Sequence, residues 1–249
     1  RERVTETRWR LEGEAKSIGN QICNSDLMQT EMDTGLRKGK EGKAAGSDEI
    51  ANAAFTMMSR ENKKRVKEQW QQIWRSEECP RKWSESEKRY LDKKGPTADL
   101  DKKRGVSLLS CHGKKFGHSV TARLKIVMDS SISRVQGTAA GRGCMKMAGA
   151  LVQVVGARWR RKKRTIGVPI DLKKAFDTVD HRMLRAMLQE KGVRGRLLKN
   201  VMAKYKARWA RVKVQAEGGG FKFSDWWRDR GAGLTQGGVD SMELFAGLV

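Results

Sequence analysis

The apolar residues of this chain change their period part-way along it, and that change limits the fold more than any other feature. From Ala53 onward Phe55, Met58, Val66, Trp70, Ile73 and Trp74 recur at helical spacing, with Pro80 as a stop. Two more helical stripes follow, first Phe116, Val120, Leu124, Val127 and Met128, then Met147, Leu151, Val154 and Val155, each expected to pack on a core. Between Thr165 and Asp171 the repeat becomes two. Ile166, Val168 and Ile170 alternate with Gly167, Pro169 and Asp171, the pattern of a strand with one buried face, which projects Asp171 away from the core. Pro169 counts against full pairing, because it lacks the N–H that a ladder needs. Helical stripes return at Met183, Leu184, Met187 and Leu188 and at Leu197, Leu198, Val201, Met202 and Tyr205. Val212, Val214 and Ala216 then lead through Gly218, Gly219 and Gly220 to Phe221 and Phe223, two short strands joined by a glycine turn. The mixture specifies an α+β fold. Residues 12–45 are rich in Gly, Lys, Glu and Asp and offer no place for a core, so residues 1–45 read as a linker or loosely ordered leading segment.

Charge narrows the partner. The chain of 249 residues carries 53 Lys and Arg against 29 Asp and Glu, a net +24 spread from Arg1 to Arg230. A polyanion is expected to bind it. Nucleic acid fits better than a membrane, since no apolar run approaches the about 20 residues a spanning helix needs and no lipidation motif is visible. Cys23, Cys79, Cys111 and Cys144 form no C-x-x-C pair, which argues for reduced thiols without structural zinc in an intracellular protein of nucleus or cytoplasm. The chain starts at Arg1 without an initiator methionine and stops at Val249 within an apolar stretch, and so reads as a piece of something longer.

Five motifs carry chemistry. Ile170 to His181 reads I-D-L-K-K-A-F-D-T-V-D-H; taken alone it is a strand running into a helix capped by Asp177 or Thr178. With it stand G-K-A-A-G-S-D-E-I at Gly42 to Ile50, L-D-K-K-G at Leu91 to Gly95 with K-R-G-V-S-L-L-S at Lys103 to Ser110, Q-G-T-A-A-G-R-G-C at Gln136 to Cys144, and G-L-T-Q-G-G at Gly233 to Gly238. Singly these are weak. Their order resembles that of reverse transcriptases from non-LTR retrotransposons, with residues 170–181 similar to the first palm motif and 233–238 to the second, over about residues 42 to 249.

The resemblance implies a right-hand polymerase: fingers at 46–163, the palm strand with its first motif at 164–180, a return through the fingers at 181–232 and the start of a palm helix at 233–249, with the thumb and final palm hairpin absent. It implies RNA-directed DNA synthesis from deoxynucleoside triphosphates on an RNA template and a DNA primer, using two Mg2+ ions. Asp171 is the expected catalytic and metal-binding carboxylate, with the Leu172 carbonyl as a further metal ligand. Lys93, Lys94 and Arg104 would grip the triphosphate, Phe176 would lie under the sugar, and Gln236 and Gly237 beside the nucleotide. One carboxylate cannot hold two ions, so residues 1–249 by themselves are expected to show no turnover. Two other readings stay open: a catalytically dead, basic RNA-binding relic, and a group II intron maturase-like protein. Arg158 to Arg164 is equally a phosphate-tracking segment with Trp159 stacking on a base and a solvated turn. None of the histidines is expected to act as a catalytic base.

Overall fold

In the computed structural model of the chain, the described residues are 17–92, 95, 99, 102–128, 136–137, 143–206, 208–216, 218–229, 232–235 and 237–248. They form an α+β structure, a helical body beside a small mixed sheet. The body contains α1 (17–24), α2 (Gln29–Arg37), α3 (Asn52–Met57), α4 (Arg60–Ser76), α5 (Arg81–Ser84), α6 (Cys111–Met128), α8 (His181–Glu190), α9 (Gly195–Lys206) and α10 (Ser241–Leu248), while α7 (Cys144–Arg160) buries nothing. The sheet contains β1 (Glu85–Asp92), β2 (Lys103–Leu109), β3 (Arg208–Gln215), β4 (Phe221–Phe223) and β5 (Trp227–Asp229). β1 pairs antiparallel with β2 and parallel with β3, and β3 pairs antiparallel with β4 and with β5. Among the described residues no helix is long and apolar enough to cross a membrane.

Helical spacing built the body as read. Trp70 and Trp74 of α4 are fully buried against Phe116, Val120 and Leu124 of α6, and α8 and α9 add Leu184, Leu188, Leu197 and Val201. Each such side chain contributes about 1.5–3 kcal/mol by leaving water. Ser59 caps α4 by accepting from the Asn62 amide at 3.2 Å, and Glu77 closes it in the left-handed region. The glycine turn also forms, with Lys213 opposite Phe223 and Gln215 opposite Phe221.

Three expectations are corrected. The stretch 12–45, read as loosely ordered, holds α1 and α2 and buries Cys23, Leu27, Met32 and Leu36. Its order comes from a charged anchor at long range, as Arg123 of α6 grips Glu31 and the carbonyls of Ser25 and Asp26. The second correction concerns α7, whose apolar stripe was expected to face a core; Leu151, Val154 and Val155 are exposed instead. Third, residues 164–172 form no ladder, and Ile166, Val168 and Ile170 are 89%, 75% and 85% exposed. Alternation makes a strand only where a neighbour supplies donors and acceptors, and Pro169 removes a donor from its middle.

Two half-buried histidines give the body a pH dependence. His112 accepts from the Trp70 indole at 2.9 Å through Nε2, which requires the neutral ring. Burial holds its pKa below the ordinary 6.5. Burial pushes His118 down to about 4, helped by Lys38, Lys115 and Lys125 and opposed by Glu243. The unfolded chain therefore binds protons first as the pH falls. Stability should be complete above about pH 6.5 and decline toward pH 4. Thermal melting across that window checks it, and His118→Gln should flatten the decline; a flat profile in the parent chain would contradict the assignment.

Candidate active site

Segments far apart in sequence meet beside the sheet. After the exposed stretch, residues 173–178 turn tightly, with Lys174 at φ 53° and its carbonyl accepting from the amides of Asp177 at 2.8 Å and Thr178 at 3.2 Å. The cap of the following helix is Asp180, three positions beyond Asp177. Its carboxylate accepts from the Arg182 amide at 2.6 Å, and that bond holds its pKa below the usual carboxylate range.

Residues 232–238 lie against this turn. The Leu234 amide donates to the Phe176 carbonyl and the Gly233 amide to the Val179 carbonyl, both at 2.7 Å. The Gly233 carbonyl accepts from His181 Nε2 at 3.0 Å and from Arg208 Nη1 at 2.9 Å, while Arg208 Nη2 reaches the Ala232 carbonyl at 2.7 Å. At the other end Gly237 sits at φ +106°, so close to β2 that an added Cβ would lie 2.8 Å from the Ser107 carbonyl. Phe176 stacks on Phe245 of α10 with ring centroids 4.7 Å apart. The first motif, the glycine segment and β2 are thus joined mainly through backbone.

The motif at Gly42 to Ile50 braces the same strand. Gly46 touches the backbone of Leu109 and Ser110 where a Cβ would come within 2.3 Å. Asp48 accepts from the Ser110 hydroxyl at 2.6 Å and from the His112 amide at 3.4 Å, capping α6 from a distance.

The expected site residues are not all brought together. Phe176 is half-buried in the junction and Gly237 lies at its edge. Asp171 and Leu172 precede the junction on the exposed 164–172 stretch. Arg104 is exposed on β2, and strand alternation turns it to the face opposite the Ser107 side chain. Lys93, Lys94 and Gln236 lie outside the described residues. Arg158 folds back on its own turn, donating to the Arg164 carbonyl at 2.7 Å, and Trp159 is exposed. Sequence reasoning missed Arg208 as the anchor of the glycine segment, being one cation among 53. Asp180 was findable as an acidic cap just before an apolar helical stripe.

Among the described residues no three His, Cys, Asp or Glu side chains are grouped to hold a metal ion. Holding two divalent ions takes several converging carboxylates. Asp171 alone does not fit a two-ion site.

Gly237→Ala should open this junction. A side chain at φ +106° is strained by about 1–3 kcal/mol, and its Cβ would collide with Ser107. Amide exchange at Gly233 and Leu234 should accelerate with little change in α4 or α6; unaltered exchange at those two amides would argue against the bridge.

Residues 91–246, more than half of the chain's 249, match the family described as Reverse transcriptase (RNA-dependent DNA polymerase). The chain belongs to the reverse transcriptase family. A search of curated proteins gives no match. The family copies RNA into DNA, so its members use a nucleic acid template and deoxynucleoside triphosphates. The matched span takes in β2, the first motif, Arg208 and the glycine segment of this reverse transcriptase chain, which are the parts the junction unites.

Proposed function

We propose that this chain is the fingers and the beginning of the palm of a non-LTR retrotransposon reverse transcriptase, and that the junction of Phe176, Gly233–Gly237 and β2 is where the incoming nucleotide is received. The carrying observation is the pair of 2.7 Å backbone bonds that tie residues 233 and 234 to the turn after Asp171, with Gly237 against β2. Three motifs whose order resembles that of the non-LTR family are thereby held at one place. In this reading Asp171 and the Leu172 carbonyl serve the reacting end, Gln236 and Gly237 the base and sugar, and Lys93, Lys94 and Arg104 the triphosphate. Lysine supplies point charge and arginine a planar fork for that task.

Phe176 supplies the test. A flat ring under the sugar leaves no space for a 2′-hydroxyl, so it selects deoxynucleotides by exclusion. In an active enzyme carrying these residues, Phe176→Ala should admit ribonucleotides while keeping much of the deoxynucleotide activity. The ring is also half-buried and packs on Phe245, together worth about 1–3 kcal/mol, so melting should fall by about 2–12 °C. An unchanged ratio of ribo- to deoxynucleotide specificity constants, with a large fall in melting temperature, would assign Phe176 to the core alone.

A second reading, an RNA-holding protein without chemistry, draws on the exposure of Asp171 and the lack of a carboxylate cluster among the described residues. Its net +24 is sufficient for phosphate-backbone binding.

A further inference from the structure

The sheet has a second face, turned away from the glycine segment, and of the residues assigned to the candidate site it carries Arg104. Strand alternation places Ser86, Ser107, Leu109 and Ala210 on one side, and Ser86 and Leu109 line a small cavity with Gly113, Phe116, Thr235 and Gly238. On the other side the register aligns Glu87 and Arg89 of β1 with Arg211 and Lys213 of β3 and with Phe221 and Phe223 of β4. There cations and rings interleave. The Arg211 guanidinium lies 4.0 Å from the Phe223 centroid and 4.6 Å from that of Trp226. Lys213 Nζ lies 4.5 Å from the Phe221 centroid, and the Arg89 guanidinium 5.2 Å from the same ring.

Burial does not account for these rings. Every residue of β4 is exposed, with Phe221 and Phe223 at 46% and 45%, so the strand adds almost nothing to the core. Glu87, only 2% exposed, pairs with both Arg211 and Lys213 and fixes them in place. One carboxylate among three cations leaves the patch positive. Half-open aromatic rings flanked by fixed cations are what single-stranded nucleic acid needs, stacking for the bases and charge for the phosphates.

We propose that this face, formed by Arg89, Arg211, Lys213, Phe221, Phe223 and Trp226, binds single-stranded RNA at a site away from the glycine segment and the first motif. Bases stack on Phe221 and Phe223 without regard to sequence, and the three cations follow the backbone. The RNA is held on the side of the sheet away from the glycine segment, where template awaiting copying or already copied can be kept apart from the reaction.

The experiment compares two fluorescent probes on the whole 249-residue chain, an octamer of uridylate and an abasic phosphodiester octamer of equal charge. The paired substitutions Phe221→Ala and Phe223→Ala should weaken binding of the uridylate octamer by about tenfold per ring lost, roughly 1.4 kcal/mol each. Binding of the abasic probe and the melting temperature should stay as in the parent, and Phe221→Tyr with Phe223→Tyr should bind both probes normally. Photocrosslinking with 5-iodouridine in the octamer should mark residues 221–227. Equal loss for both probes, no loss for either, or crosslinks confined to residues 171–176 and 232–238 would overturn the proposal. The readout is binding and needs no turnover, so failure of the polymerase reading leaves it intact.

Discussion

Arg123→Ala should destabilise the folded chain by about 3–5 kcal/mol, the range for removing one partner of a buried ion pair. Arg123 and Glu31 are 2% and 5% exposed and meet in a two-pronged bond of 2.9 Å and 2.6 Å. The same guanidinium donates to the carbonyls of Ser25 at 2.6 Å and Asp26 at 2.7 Å, and lies 5.0 Å from the Trp74 ring centroid. Truncation strands the Glu31 carboxylate inside the protein and takes a donor from the Asp26 carbonyl, while the Ser25 carbonyl keeps the Trp74 indole at 3.0 Å. At roughly 2–4 °C per kcal/mol for a chain of this size, melting should fall by about 6–20 °C. Arg123→Ala combined with Glu31→Gln should recover part of that loss, because the orphaned charge is gone. A fall below about 2 °C for the single variant would mean that water reaches the pair.

Asp171→Asn should reduce RNA-templated primer extension to background in an active enzyme carrying these residues, while RNA affinity changes by less than about twofold. The substitution keeps size and shape and removes one negative charge. Because Asp171 is exposed on a stretch without ladder partners, the change disturbs no packing, and melting should be unaltered. Binding draws on a net +24 dispersed over the chain, so one side chain more or less positive matters little to it. Extension at parental rates would remove Asp171 from the chemistry. Parallel loss of binding and melting temperature would make it structural.

The legible parts of the fold were those where a local pattern met its partner within the described residues. Phe55, Trp70, Trp74 and Leu124 recur at helical spacing and are buried as the period requires. The same logic misread Leu151, Val154 and Val155, because period reports which residues share a face and not whether anything covers it. For Ile166, Val168 and Ile170 the alternation was real and the ladder was not, as Pro169 had warned. β1 was not recognised, since E-S-E-K-R-Y-L-D is polar; its order comes from pairing with β2 and β3, and Glu87 is buried by cations from another strand. Motif order singled out the glycine segment and the first motif, and the structure sets the two side by side. It could not name Arg208, whose bonds to the glycine segment reach 24 to 27 residues along the chain.

The bonds that fasten the glycine segment to the turn after Asp171 run from Leu234 to Phe176 and from Gly233 to Val179, amide to carbonyl, without a side chain in either. Such a joint is indifferent to most substitutions. Mutations can accumulate at exposed Thr178 and leave the two bonds unaltered, whereas Gly233 and Gly237 tolerate almost none, since an added Cβ meets backbone within 2.9 Å and 2.8 Å respectively. A copy of this gene freed from selection would therefore keep the shape of this junction long after its exposed side chains had drifted, and would lose that shape abruptly, at whichever of two glycines changed first.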